Sequence, residues 1–494
     1  MFKTVTPEQA GISSSKVLKF IKTLDKYHFC THSIILARGN DIFTECYYEP
    51  FDKDFKHRMY SITKSFVAVA VGMCEEDGLL SLDDKLVKFL PEYLKEETTN
   101  DYLLEMTIRD MLIMETSQIP GCDWFRTGTT DRVETYFRYV PGRMPGSCIF
   151  YDSNGSYILG AIVERLTGKP FLKYLQEKFL DDIGFSKDAY CLMAPGKHSW
   201  GDSGIMCTSR DLLTFARFVM NGGEWNGKRY MNEKFLQDAT KKQVCNDHTG
   251  LFVSKGYMHG YGYQIWIPDR GGFAFVGMGD QFAICDRETD MIFVINSDNQ
   301  GNSDNTRPIL FHTLYETIVD NLGETLPEDK DAYNELCEYV STRKLYAHSE
   351  NVDNPFTNEI NGKTYKFEPN YLNIEYIRFE FDGKKGKMFY KNKQGEKRLD
   401  FGLGYNEISY FPEENYSDMT GTYPEIGHKY RCATSADWCE EKKLRIRAQI
   451  IDKYFGNLNI ICTFKDNRMA VLMQKTAEAF LNEYNGYTVG KLSD

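Results

Sequence analysis

Apolar positions along the chain fall into two periodicities, and their order divides it. Apolar-rich runs at 32–38 (His-Ser-Ile-Ile-Leu-Ala-Arg) and 42–48 flank Gly39-Asn40-Asp41, which predicts two strands joined by a turn. From Ser61 to about Asp77 the spacing changes. Phe66, Val67, Ala70, Val71 and Cys74 recur at three- and four-residue steps and Gly78 closes the run, predicting a helix. Further helical segments are expected around 107–114, 156–167, 171–179 and 209–221. Strands return at 261–267, 273–277, 281–286 and 291–296, with Gly- and Asp-bearing turns between them, and a helix near 306–321 follows. Strands at both ends of a helical middle predict an α+β fold. One antiparallel sheet draws strands from both ends, and the helices pack on it or form their own lobe.

After about Leu322 the pattern changes again. A charged stretch, Glu324 to Asp331, leads into a helix expected over 330–343. From Asn354 onward come short alternating runs such as Ile377-Arg378-Phe379-Glu380-Phe381 and Lys387-Met388-Phe389-Tyr390, separated by turns such as Asp382-Gly383 and Asp466-Asn467. This predicts an all-β module, a small barrel or a sandwich. The 494 residues exceed one ordinary core. The expected organisation is a first domain over 1–322, a linker with one helix over 323–353, and an all-β domain over 354–494.

Charge narrows the function classes. A formal charge of −12 disfavours nucleic acid and anionic membrane as partners, because both require clustered Lys and Arg. No apolar run reaches the length of about 18 residues needed to span a bilayer. Pro7 and Glu8 stand where a signal peptide needs an apolar segment. The 13 Cys are odd in number and form no C-x-x-C pair, which fits a reduced, cytoplasmic setting. The His show no H-E-x-x-H spacing, so neither a metal nor another cofactor is expected.

Candidate chemistry begins with S-x-x-K, which occurs as Ser13/Lys16, Ser61/Lys64 and Ser341/Lys344. Context separates the three. Only Ser61 follows a pair of strands and heads a strongly apolar helix. A serine there lies beside unpaired backbone N–H groups at the positive end of the helix dipole. Lys64, three residues on, shares its face and can reach the serine oxygen as a base. The bland alternative is a helix cap beside a surface lysine.

Tyr60-Ser61-Ile62-Thr63-Lys64-Ser65-Phe66, followed by Glu76-Asp77-Gly78-Leu79-Leu80-Ser81-Leu82-Asp83-Asp84, resembles the nucleophile region of class C-like serine β-lactamases and their hydrolase relatives. They belong to the wider penicillin-binding-protein superfamily. Leu112-Ile113-Met114-Glu115-Thr116-Ser117 resembles a second family segment, with Gln118 where Gly is usual. Phe150-Tyr151-Asp152-Ser153-Asn154 matches the Tyr-x-Asn motif with Ser153 at the Asn position, a variant similar to the esterase and 6-aminohexanoate-oligomer hydrolase branch. Val276-Gly277-Met278-Gly279-Asp280-Gln281-Phe282 resembles that branch's G-x-G-G-Q, with Asp280 replacing a Gly and no cation where β-lactamases carry Lys or His. Ser203 to Leu212, Asn221 to Lys228 and Tyr261 to Trp266 are similar to family framework. The resemblance spans roughly 5–320 and says little about 355–494.

The resemblance implies a β-lactamase/transpeptidase-like domain. In it Ser61 is the nucleophile, Lys64 and Tyr151 are general base and acid, and the backbone N–H groups of Ser61 and Gln281 form the oxyanion hole. Ser153, Asn154, Met278, Gly279, Asp280 and Trp124 become candidate substrate contacts, and Tyr60, Phe125 and Phe150 further pocket walls. The expected function is a metal-free hydrolase of an ester or amide in a small-molecule or short-peptide-like substrate. An acyltransferase using the same residues is one alternative. A catalytically degenerate binding or sensor protein is another.

Overall fold

The computed structural model describes residues 2–119, 131–246, 258–300, 303–414, 427–476 and 481–493. It divides into two compact units, Met1–Lys344 and Leu345–Asp494.

The first unit is built on an eight-stranded sheet. Its strands are β1 (Lys3–Thr4), β2 (Thr31–Arg38), β3 (Asp41–Tyr47), β4 (Gly260–Tyr261), β5 (Trp266–Ile267), β6 (Phe273–Gly277), β7 (Gln281–Asp286) and β8 (Met291–Ser297). Their spatial order is β1-β3-β2-β8-β7-β6-β5-β4. Strands from the two ends of the unit therefore meet at β2 and β8, antiparallel, with Phe293 opposite Leu36. Every residue of β8 is buried, so both faces of the sheet must be covered. On one face Phe293 meets Phe20 of α1 (Ser14–Lys26) at 5.7 Å between ring centres. On the other, Phe275 meets Phe215 of the helix Ser209–Met220 at 5.3 Å.

The helix α2 (Thr63–Glu76) is buried from Thr63 to Cys74. A helix apolar on all sides needs neighbours all round. Phe66 stacks on Phe215 at 3.6 Å, and α3 (Ser153–Thr167) packs along α2 where Gly160 and Gly201 leave room for Val67. The helix Lys330–Ser341 packs on α1 and β3 within the same unit.

One expected strand is corrected. Residues 261–267 do not run straight: β4 and β5 pair with each other, and Gly262 N–H donates to the Ile265 carbonyl. Gln264 sits at φ 57, and its side chain donates to the carbonyls of Met111 and Leu112. The tertiary contacts of that amide override the local extended pattern.

The second unit is a closed β-barrel. Nine strands form the ring: Thr364–Phe367, Tyr376–Asp382, Lys385–Asn392, Gly395–Leu403, Lys429–Glu440, Lys443–Ile451, Phe455–Lys465, Arg468–Thr476 and Gly486–Leu492. Closure comes from parallel pairing of Gly402 with Ser435 and Leu403 with Ala436. A tenth strand, Glu407–Glu414, adds to Lys429–Glu440 outside the ring. Alternate side chains such as Ile377 and Phe379, or Leu444, Ile446 and Ala448, are buried, as the two-residue period demands. Among the described residues no helix is long and apolar enough to cross a membrane.

Candidate active site

Ser61 sits where a strand end, a strained residue and a helix start converge. The backbone approach is close: a Cβ on Gly277, the last residue of β6, would stand 2.4 Å from the Met59 carbonyl oxygen. Tyr60 then takes φ 48, a conformation that bulky side chains avoid. Its ring is held from one side, since the Arg58 guanidinium lies 4.2 Å from the Tyr60 ring and 4.1 Å from that of Trp200. Met59 N–H donates to the Ile205 carbonyl at 2.8 Å. The chain passes through a 3₁₀ turn, Tyr60–Ile62, before α2 begins at Thr63. In this turn Ser61 is half-buried between buried neighbours.

The first residues of α2 are each tied to a different segment. The Thr63 hydroxyl accepts from Ile205 N–H at 3.1 Å, and Ser65 Oγ donates to the Gln264 carbonyl at 2.8 Å. Lys64, only 1% exposed, donates from Nζ to Ser61 Oγ at 2.9 Å and to the Asp202 carbonyl at 2.8 Å. The lysine amine is thereby fixed on the serine oxygen from below.

Tyr151 approaches Lys64 with its ring, whose centre is 5.1 Å from Nζ. That ring stacks on Trp266 at 5.8 Å and meets the edge of Tyr261 at 6.5 Å. No hydrogen bond joins the Tyr151 hydroxyl to Ser61 or Lys64. The following residue explains how Tyr151 is held. Asp152 caps α3, accepting from Gly155 N–H at 3.0 Å and from the Thr116 hydroxyl at 2.9 Å. Burial pushes its carboxyl above the usual carboxylate range, although these donors and the charge of Lys64 pull the other way. Ser153 and Asn154 occupy the first helical positions of α3.

The β6–β7 hairpin supplies the opposite wall. Gly277 pairs with Gln281 across the turn Met278-Gly279-Asp280, with Gly279 at φ 78 and Asp280 at φ 67. The Gln281 amide braces the turn, donating to the carbonyls of Met278 (3.1 Å) and Ser297 and accepting from Asn296 Nδ2 at 3.0 Å. Met278 is half-buried. The Asp280 carboxylate is fully buried and turned to the helix Ser303–Thr317, accepting from Thr306 Oγ1 at 2.8 Å and Arg307 Nε at 2.6 Å. Each of its oxygens thus accepts a hydrogen bond from that helix. Trp124 and Phe125 lie outside the described residues. Of the other expected walls, Tyr60 is buried and Phe150 half-buried, with the Arg143 guanidinium 5.2 Å from the Phe150 ring.

Sequence reasoning missed Asp202, Asp152 and Arg307. Asp152 had a local signal, an acid three residues before Gly155 at a helix start. The contacts of Asp202 and Arg307 had none, because their partners are 138 and 27 residues away.

A family model described as Beta-lactamase matches residues 19–312. The 6-aminohexanoate-dimer hydrolase of Paenarthrobacter ureafaciens is 23% identical over 283 residues, 54% of this chain and 72% of that protein. Among solved structures, a candidate 6-aminohexanoate-dimer hydrolase from Bacillus anthracis aligns with a TM-score of 0.53 and 19% identity, covering 66% of this chain and 89% of that one. A penicillin-binding protein homologue from Caulobacter crescentus aligns with a TM-score of 0.51 and 15% identity, covering 64% and 99%. At these identities the structural likeness speaks for the fold.

Proposed function

The chain belongs to the beta-lactamase family, and from that premise we propose that it is a serine hydrolase cleaving an ester or amide through an acyl-Ser61 intermediate. The observation that carries this reading is the 2.9 Å contact between the buried Lys64 amine and the half-buried Ser61 hydroxyl. Lys64 takes the Ser61 proton as Oγ attacks the substrate carbonyl. The backbone N–H groups of Ser61 and Gln281 receive the charge that develops on the carbonyl oxygen. Collapse of the tetrahedral species expels the alcohol or amine, and Tyr151 hands it a proton. Water then attacks the acyl-enzyme by the same path in reverse and releases the acid.

For that step the Tyr151 hydroxyl has to stand within hydrogen-bond reach of the leaving group. Hydrogen bonds of this kind often tighten only when substrate is bound.

The substrate is an ester or amide in a small-molecule or short-peptide-like compound. Among the described residues the turn Met278-Gly279-Asp280 offers a Met278 thioether and an Asp280 ion-paired with Arg307, with no further cation for a substrate carboxylate. The name of the Paenarthrobacter relative, a hydrolase of a 6-aminohexanoate dimer, agrees with amide cleavage.

Intact-mass spectrometry after exposure to activated esters, amides and a fluorophosphonate tests the reading. The expected result is an adduct on Ser61 and loss of both adduct and turnover in Ser61→Ala. Wild-type turnover of an activated ester by Ser61→Ala would overturn it.

A further inference from the structure

The Asp280 carboxylate is an expensive way to make a turn. Its backbone needs a positive φ, which glycine adopts freely and other residues adopt with strain. Its side chain is 0% exposed and its ion-pair partner Arg307 is only 18% exposed. Burying such a pair costs desolvation that its own attraction often fails to recover, so stability alone does not account for it. The geometry shows what else it does. Arg307 Nε and Thr306 Oγ1 grip the carboxylate at 2.6 and 2.8 Å, while the Arg307 guanidinium also covers the Phe282 ring at 5.7 Å. Phe282 directly follows Gln281. From the inner side, the Ser297 hydroxyl lies 2.8 Å from the Gly279 carbonyl and 2.9 Å from that of Asp280. The segment Met278–Phe282 is therefore clamped between β8 and the helix Ser303–Thr317, facing the Met59–Ser61 segment across the close approach at Gly277.

We propose that the Asp280–Arg307 pair is a positioning device that sets where the Gln281 N–H stands relative to Ser61 Oγ. The inference rests on the reading of Ser61 as nucleophile and Gln281 N–H as oxyanion donor. Neither side chain of the pair touches the reacting atoms. Their effect is transmitted through the turn, where a displacement of about 1 Å lowers turnover on the order of 100-fold.

The test compares wild type, Ser61→Ala, D280G, D280N and R307K on a p-nitrophenyl ester. Turnover is expressed per active site, counted by fluorophosphonate labelling taken to completion, and melting temperatures are recorded in parallel. D280G frees the backbone strain but cuts the tether. It is expected to lower kcat per labelled site about 10- to 100-fold with KM changed less than about 3-fold. D280N keeps an acceptor for Arg307 and is expected to recover most of that loss. If D280G does not fold, D280N and R307K carry the test, each with an expected fall of about 3- to 10-fold in kcat per labelled site. A kcat per labelled site unchanged in the variants that fold, with any loss confined to melting temperature or labelled fraction, would overturn the inference. Turnover that survives in Ser61→Ala would instead overturn the assignment of the nucleophile, so the two failures are distinguishable.

Discussion

Gly277 stands so close to Met59 that a single added Cβ would lie 2.4 Å from the Met59 carbonyl oxygen. Contacts this short are not met without a shift, and neither party is a flexible side chain. The strand β6 and the segment leading to Ser61 can touch here only because position 277 lacks a side chain. The same Cβ would also press on the Gln281 side chain at 3.0 Å.

Gly277→Ala is therefore expected to move the turn Met278-Gly279-Asp280 away from Ser61 rather than to unfold the sheet. Turnover of an activated ester should fall about 100-fold, a loss typical of misplacing reacting groups by about 1 Å. Steady-state kinetics alongside far-UV circular dichroism checks it; a variant with native spectrum and wild-type turnover would contradict the expectation.

Lys64 makes its two hydrogen bonds to groups that have no substitute, the Ser61 hydroxyl and the Asp202 carbonyl. Lys64→Ala should remove about as much turnover as Ser61→Ala, on the order of 1000-fold or more. In the proposed mechanism the two residues act as a unit, so the double variant should be scarcely worse than either single one. Additive losses in this cycle would show that they work separately.

Asp202 is 3% exposed, and its Oδ1 has no hydrogen-bond partner. Burial raises its carboxyl above the ordinary 3.8, with the charges of Lys64, Arg132 and Arg58 opposing. A carboxyl raised in the folded state binds its proton more tightly there than in the unfolded chain. The stability it contributes is present below the unfolded value and is lost as pH climbs through the folded one. Relative to wild type, Asp202→Asn should therefore gain melting temperature as pH is raised from about 4 toward neutrality. A difference between the two proteins that stays flat or falls with pH would refute this.

In the second unit, Glu413 is a buried carboxylate that accepts from Asn392 Nδ2 at 2.9 Å, from Lys397 Nζ at 2.6 Å and from the Tyr484 hydroxyl. Glu413→Ala would strand a lysine whose side chain is only 12% exposed. A loss of about 3–5 kcal/mol is expected from breaking such a pair. Denaturant unfolding of the full chain, following the transition that contains this unit, provides the measurement; Glu413→Gln should lose distinctly less.

The strand pair before Ser61, the apolar helix after it and the order of the three motifs were all legible along the chain. They depend on side chains only a few residues apart, where periodicity reports the environment directly. The straight strand expected over 261–267 failed for the opposite reason: Gln264 turns the chain because its amide reaches Met111 and Leu112, some 150 residues earlier in the chain. Alternation in the C-terminal half showed strands but could not choose between sandwich and barrel. That choice rests on one short parallel pairing, Gly402 with Ser435 and Leu403 with Ala436.

By itself the sequence determined which residue types stand at the head of α2, at the start of α3 and in the β6–β7 turn. It determined too that the turn lacks a cation. Only the tertiary structure decided that Lys64 rests on Asp202, that Tyr151 meets Lys64 through its ring, and that Asp280 faces Arg307 rather than the cleft. Local pattern records whether a side chain is buried. The partner it is buried against depends on how distant segments close together, as with Lys64 and Asp202, 138 residues apart.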